Sequence, residues 1–486
     1  MKTTIFFIEI LAIITLTIFW FYKWKFSYWK SRKIPYLPPK FPFGNVSNPF
    51  FMKEKIGKTL ARFYNEMKRR GWKHGGFYFG VSPLYLLVNP DSIKNILTKD
   101  FDHFVDRGVY YNEKDDPLSA NLVHIGGHKW KTLRKKLNPA FGAPKTKTMY
   151  PILQTCVENM MEKVRIDYEN DQKCNVNEIS PAYSINVICS CAFGLREENS
   201  LFKSYADEVV YKTKYKYLVH ILATLFDKTA KKIGVKILPK NATNFFMKIV
   251  TDTVKFREEN NHVRGDFMQL LIEMKKENQL TVEEIAANCL AFFIAGFETS
   301  SATLTFALYE LAKNPNIQKK ARDEILTNCQ ITYDSLAEIK YLDQVIAETL
   351  RKYPPLLYVT RQCVKDYKIP DEDDLIIEKG TLVAIPILAL HYDEDFFPNP
   401  EKFDPERFNK IEKSLRHPYT YLPFGEGPRM CIGKRFGLLE VKLALIYLLK
   451  NYKFSLNWKT KEPLTMRVDT LVLAPKDEIW LDLEKI

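Results

Sequence analysis

Phe424-Gly-Glu-Gly-Pro-Arg-Met-Cys431-Ile-Gly433 places a single cysteine inside a glycine-studded loop that opens an apolar run. The run, roughly 432–450, reads as a helix, and the positive end of its dipole favours thiolate over thiol at Cys431. Gly425, Gly427 and Gly433 let the backbone fold tightly around the sulfur and aim N–H groups at it. Arg429, two residues upstream, is an always-charged fork suited to a carboxylate. No second cysteine or histidine sits at ligand spacing, so the loop is neither a zinc site nor a local disulfide. A thiolate held this way is a soft ligand for one metal ion, and the iron of haem takes one such axial ligand.

Upstream, Thr281-Val-Glu-Glu284 is a capping-box pattern, and the periodic run behind it continues to about Asn314, before Pro315. At 1.5 Å per residue this predicts roughly 50 Å of helix. Its middle reads Ala295-Gly-Phe-Glu-Thr-Ser300, with Ala295 and Thr299 four apart on one face. A small residue beside a hydroxyl leaves room for a flat cofactor and a diatomic molecule. Gly296 inside a helix costs about 1 kcal/mol relative to alanine, so something should compensate. Glu348-Thr-Leu-Arg351 puts opposite charges three apart just before Pro354-Pro355, and Asp404-Pro-Glu-Arg-Phe408 follows later. Trp130 and Arg134 share a helix face, and both can donate to a carboxylate.

The cysteine loop fills every fixed position of Phe-x-x-Gly-x-Arg-x-Cys-x-Gly, and the chain thereby resembles the cytochrome P450 family, the haem-thiolate monooxygenases. The resemblance implies a mainly α fold with small β-sheets, a triangular helical haem-binding globule behind an N-terminal transmembrane anchor. It implies haem b (iron protoporphyrin IX) with the Cys431 thiolate as axial ligand, and Phe424, Gly433 and Ala295 against the cofactor. Trp130, Arg134, Arg361 and Arg429 fall to the haem propionates, whereas His128 reads as an exposed polar residue. By the same resemblance Thr299 hydrogen-bonds oxygen, Glu298 relays protons from solvent, and Arg407 completes a buried network with Glu348 and Arg351.

The implied reaction inserts one atom of O2 into a lipophilic small molecule: a plant toxin or insecticide, or an endogenous hormone or fatty acid. No flavin- or nicotinamide-binding fingerprint is apparent, so electrons are expected from NADPH through a separate NADPH–cytochrome P450 reductase, with cytochrome b5 as a further donor. Lys131, Lys135, Lys136, Lys434 and Arg435 are expected on the face where the donor docks. Gly296-Phe-Glu-Thr-Ser300, Ala389-Leu-His391 and Pro423–Arg429 look similar to the insect microsomal branch, which handles foreign lipophiles. By position, Phe104, Val109, Phe292, Phe293, Leu357, Val359 and Leu471 are candidate substrate contacts, and each of these could equally be core packing. Two rival readings are a same-fold peroxide isomerase or dehydratase needing no external electrons, and a non-enzymatic haem sensor or carrier.

Residues 3–22, TTIFFIEILAIITLTIFWFY, carry one charge over the length of a bilayer-crossing helix, with Trp20, Tyr22 and Trp24 where an interfacial belt would lie. Lys23, Lys25, Lys30, Arg32 and Lys33 follow the span, which predicts a single-pass anchor with the rest of the chain on the cytoplasmic face of the endoplasmic reticulum. The sequons at Asn45 and Asn241 should then stay unmodified. The expected organisation is an anchor over 1–22, a basic, proline-rich hinge over 23–44, and a catalytic domain over 45–486. Eight cysteines without a paired framework fit a reducing compartment. The net charge of +14 suits a solvated surface, or attraction to anionic membrane lipid and an acidic redox partner. No basic run with interleaved aromatics points to nucleic acid. Residues 218–246 read either as surface loop and helix ends or as a second membrane-touching patch. Phe77 to Val88 reads as a hairpin broken at Ser82-Pro83.

Overall fold

A computed structural model describes residues 2–46, 54–195, 200–210, 214–277, 279–327, 330–370, 372 and 375–486. Cys329 and the Ser47 of the first sequon lie outside the described residues. The chain is mostly helical with small sheets, and it folds as two compact units, Met1–Gly108 with Tyr358–Ala389 and Val109–Leu357 with Leu390–Ile486.

The first unit begins with the helix Lys2–Phe26, whose apolar side chains are exposed along its length. It is long and apolar enough to cross a membrane. The segment after it is tied down: Arg32 pairs with Glu378 at 2.7 Å and lies over the Tyr28 ring, and Leu37 donates its N–H to Gly76 at 2.9 Å. Four strands, β1 (His74–Phe79), β2 (Ser82–Leu87), β4 (Val359–Gln362) and β7 (Leu382–Ile385), form a sheet in the order β1-β2-β7-β4. A two-stranded ribbon joins β5 (Tyr367–Lys368) to β6 (Ile376–Ile377). The hairpin turns at Gly80 and Val81, not at Ser82-Pro83, because Gly80 takes the left-handed conformation with φ +56°. Pro83 stands inside β2 opposite Tyr78, whose N–H donates instead to the Asn45 side chain at 2.7 Å.

In the second unit the helices Ala143–Asp171, Val176–Ile188, Val282–Lys313 and Lys434–Asn451 enclose a large apolar core. A small sheet in the order β3-β9-β8 closes it, from Lys173–Asn175, Trp480–Lys485 and Tyr452–Leu456. The helix Val282–Lys313 is apolar enough to span a bilayer, but 67% of its most apolar window is buried inside the protein, so its composition serves the core. Its capping box forms as expected: the Glu284 N–H donates to the Thr281 hydroxyl at 3.2 Å, and the Thr281 N–H to the Glu284 carboxylate at 2.8 Å. The compensation for Gly296 is close packing, since a Cβ there would meet Ile188 Cδ1 at 2.5 Å.

Candidate functional site

The cysteine loop is built by three short backbone bonds. Gly425 N–H donates to Leu422 at 3.0 Å, Met430 N–H to Gly427 at 2.9 Å, and Cys431 N–H to Phe424 at 2.9 Å. Gly425 and Gly427 sit at φ +66° and +76°, where a side chain would be strained. Gly433, at φ −86°, is simply the cap of the helix, which starts at Lys434, two residues later than the apolar pattern begins. Cys431 is exposed, whereas the six other described cysteines are buried. Burial pushes the Cys156 and Cys174 thiols up to about 12, which leaves them inert.

Two cations, one of them in the loop itself, and an indole gather here within the same unit. Arg429 is buried, lies 4.0 Å from the Trp130 ring centroid, and donates to the carbonyls of Leu122 at 3.3 Å and Ile125 at 2.7 Å. Trp130 belongs to the helix Gly127–Leu137 and is buried. Arg134, one turn later, is partly exposed; desolvation holds its guanidinium below its ordinary pKa, while the Cys431 sulfur pulls it back up. Arg361 lies in β4 of the first unit, buried, with Nε lacking any partner and one donor spent on the Thr360 carbonyl at 2.8 Å. Desolvation drives it down to about 9, the position of a cation that an anionic group would satisfy.

Along the long helix, Ala295 is exposed and Ala291 and Thr299 partly so, in a stretch otherwise mostly buried. The three are spaced four apart, so one narrow face of small residues opens out of the core. Thr299 donates its hydroxyl to the Ala295 carbonyl at 2.6 Å, which leaves its oxygen lone pairs as acceptors. Glu298, on the neighbouring face, is 8% exposed and so is a buried carboxyl.

Behind the loop, Glu348 and Arg351 form a bidentate pair with both bonds at 2.8 Å, and Arg407 Nε stands 3.5 Å from Glu348. Asp404 N–H adds a bond to the same carboxylate at 2.9 Å. Arg351 also donates to the carbonyls of His391 at 3.0 Å and Pro400 at 2.7 Å. Burial nonetheless pushes the Glu348 carboxyl above its ordinary range, so the network fixes geometry more than it adds stability. His391, quoted in the sequence only within Ala389-Leu-His391, and Arg416, which no pattern marked, extend this network. Their role depends on backbone carbonyls and amides supplied by segments distant in sequence.

The candidate substrate residues do not share one environment. Phe292 is half-buried against Phe141, Phe267 and Phe436, while Phe293 is fully buried among Phe193, Phe202, Phe246 and Phe297. Leu357 is buried, Val109 is half-buried and Leu471 is 63% exposed. In the first unit, Phe104 is buried edge-on to Tyr367 and Val359 is half-buried in β4. Of the expected basic face, Lys131, Lys135, Lys434 and Arg435 are exposed. Lys136 is turned inward, donating to the Gln279 carbonyl at 2.7 Å, and His128 is exposed.

The family model described as Cytochrome P450 matches residues 37–481. The chain is 38% identical to Cytochrome P450 6A1 of Musca domestica, over 96% of this chain and 95% of that protein. It is 36% identical to Cytochrome P450 6a2 of Drosophila melanogaster over 99% of both chains, and 40% identical to Probable cytochrome P450 6a20 of the same fly over 96% and 97%. The residues fit the haem-thiolate iron of such proteins. Among the described residues no group of three or more His, Cys, Asp or Glu could hold a metal by itself, whereas an iron already held in a macrocycle needs one sulfur, and Cys431 is exposed to give it.

Proposed function

The chain belongs to the cytochrome P450 family and is a haem-thiolate monooxygenase; on that premise we propose that it is a membrane-bound enzyme that oxygenates lipophilic small molecules. One arrangement carries the reading. An exposed Cys431 in a three-bond loop stands with Arg134, Trp130 and Arg429, in the unit whose long helix opens the Ala295–Thr299 face.

When bound through Cys431, haem b supplies the redox centre at which O2 is reduced and one oxygen atom passes to substrate. The protein residues position and meter. The loop bonds of Gly425, Met430 and Cys431 fix the sulfur, and the helix N-terminus favours its anionic form. Trp130, Arg134 and Arg429 offer donors to cofactor carboxylates, and Arg361 is a buried cation of the same use. Phe424, Ala295 and Gly433 give flat or small surfaces against a planar group. With the cofactor bound, Thr299 would offer its hydroxyl oxygen to the oxygen-binding side, and Glu298 would hold a proton for relay inward.

Electrons come from NADPH through NADPH–cytochrome P450 reductase, with cytochrome b5 as a second donor, docking on the exposed Lys131, Lys135, Lys434 and Arg435. The helix Lys2–Phe26 anchors the chain in the endoplasmic reticulum, its bulk on the cytoplasmic side. Leu222, Phe226 and Ile233 are exposed beside Lys228 and Lys232, which suits a second contact with lipid. Substrates are foreign lipophiles such as plant toxins and insecticides.

The test is turnover of a panel of lipophiles by the full chain in lipid with purified reductase. Product that requires NADPH, reductase and O2 supports the reading. Rearrangement of an organic peroxide itself, with no NADPH-dependent product from any lipophile, would make the chain an isomerase or dehydratase, and haem binding without turnover a sensor. Cys431→Ser is expected to lose the far-red-shifted carbon monoxide spectrum of a sulfur-ligated haem.

A further inference from the structure

Glu440 is a fully buried acid for which the mechanism above has no use. It lies on the helix Lys434–Asn451, two turns beyond the cysteine loop. Its Oε1 accepts from the Ser184 hydroxyl at 2.6 Å, and its backbone carbonyl from the Tyr183 phenol at 3.0 Å. Its Oε2 has no partner at hydrogen-bond distance. One turn earlier on the same face, a Cβ at Gly437 would stand 3.6 Å from the hydroxyl of Ser300. Ser300 is itself buried, and it is the residue after Thr299.

We propose that Glu440 is a positioning residue for Thr299: a neutral carboxylic acid bonded to Ser184 of the helix Val176–Ile188, on a helix face that packs at Gly437 against Ser300 of the helix Val282–Lys313. No cation faces it. The helix Ala143–Asp171 offers Cys156, the helix Val176–Ile188 offers Tyr183 and Ser184, the turn Cys189–Phe193 offers Cys191, and the long helix offers Ser300. The thiols and the phenol are all pushed upward by burial and stay neutral. On the remaining neighbours, Asp343 is paired with Lys442 at 2.7 Å, and Arg322 donates to the Leu449 carbonyl at 2.9 Å. Burial accordingly drives the Glu440 carboxyl up to about 8, with the Ser184 and Ser300 hydroxyls pulling the other way. A neutral acid carries the proton that its unpartnered oxygen needs in order to donate. An anion there would be buried and unpaired behind the oxygen-handling face.

The inference rests on the proposed monooxygenase reading only for its second measurement. The first is infrared spectroscopy of the full chain, following the carbonyl stretch of a neutral carboxylic acid against pH. The expected result is a band present at pH 7, absent in Glu440→Gln, and titrating with a midpoint near 8. The second is the share of NADPH electrons that leave as hydrogen peroxide. It is expected to rise in the wild-type enzyme as pH passes that midpoint and to stay flat in Glu440→Gln, where a neutral donor is permanent. A missing band, or a band retained in Glu440→Gln, overturns the neutral acid. A peroxide share that ignores pH, or changes equally in both proteins, overturns the positioning role. Should Glu440→Gln fail to fold, Ser300→Ala decides: a midpoint moved to higher pH supports the link, and an unmoved one overturns it. Absence of any NADPH consumption would instead count against the monooxygenase reading, leaving the infrared result to stand by itself.

Discussion

His391 Nδ1 lies 3.1 Å from the carbonyl oxygen of Arg351, and its other ring nitrogen, Nε2, accepts the Leu422 N–H at 2.9 Å. An amide can only donate, so Nε2 must be unprotonated and Nδ1–H must donate to Arg351. One neutral ring thereby joins the Glu348–Arg351 pair to the start of the cysteine loop.

That geometry predicts an acid-sensitive step. Desolvation and the Arg351 charge hold His391 down to about 3, against an ordinary value of 6.5. Its contribution to stability is therefore full above pH 6.5 and is lost as pH falls toward 3, by about 1.4 kcal/mol per pH unit. His391→Phe should flatten this part of the profile. It should also destabilise the fold by about 1–3 kcal/mol for each buried backbone group left unpaired, read by thermal unfolding at neutral pH.

Glu348→Ala is expected to abolish haem retention. Removing the carboxylate strands Arg351 and Arg407 and frees the Asp404 N–H, a loss of about 3–5 kcal/mol where the pair is fully buried. The haem-to-protein ratio after gel filtration measures it, and an unaltered ratio would refute the role given to this network.

Gly296→Ala sets two effects against each other. Helix propensity favours alanine by about 1 kcal/mol, but the new methyl would sit 2.5 Å from Ile188 Cδ1, and overpacking costs about 1–3 kcal/mol. Net destabilisation is expected. Ile188→Val removes that terminal methyl and should recover part of the loss, a coupling visible as non-additivity in urea unfolding.

The two sequons differ in what they can report. Asn45 spends its amide on the carbonyls of Leu37 at 3.2 Å and Pro38 at 2.9 Å, and its oxygen on Tyr78 N–H at 2.7 Å. Asn241 is exposed in the first turn of the helix Lys240–Glu259. Replacing the anchor by a cleavable secretion signal should therefore add one glycan, at Asn241, while the unaltered chain adds none; a glycosidase-sensitive mobility shift reads both.

The chemistry was legible in the sequence wherever it depends on local spacing. The Cys431 loop, the capping box at Thr281 and the Glu348-x-x-Arg351 pair need neighbours within a few residues, and each of these formed as a local unit. What depends on distant backbone was not legible. His391 stood only inside the branch-like triplet Ala389-Leu-His391, with no structural role assigned, because its partners, Arg351 and Leu422, lie 40 and 31 positions away. Lys136 was expected on the donor face, yet the Gln279 carbonyl captures it from 143 residues off. Strand β3 escaped notice because three residues carry no periodicity. The hairpin turn slipped because proline is a louder signal than a lone glycine.

The sheet β1-β2-β7-β4 draws its halves from chain segments nearly three hundred residues apart, with Leu84 to Leu86 lying beside Leu382 to Ala384. A ribosome adding about 5–20 residues per second needs roughly 15–60 seconds to cover that distance. Throughout that interval the newborn hairpin shows a bare strand edge, which invites pairing with the wrong neighbour. Shielding that edge until translation delivers residue 385 would therefore favour correct pairing over wrong.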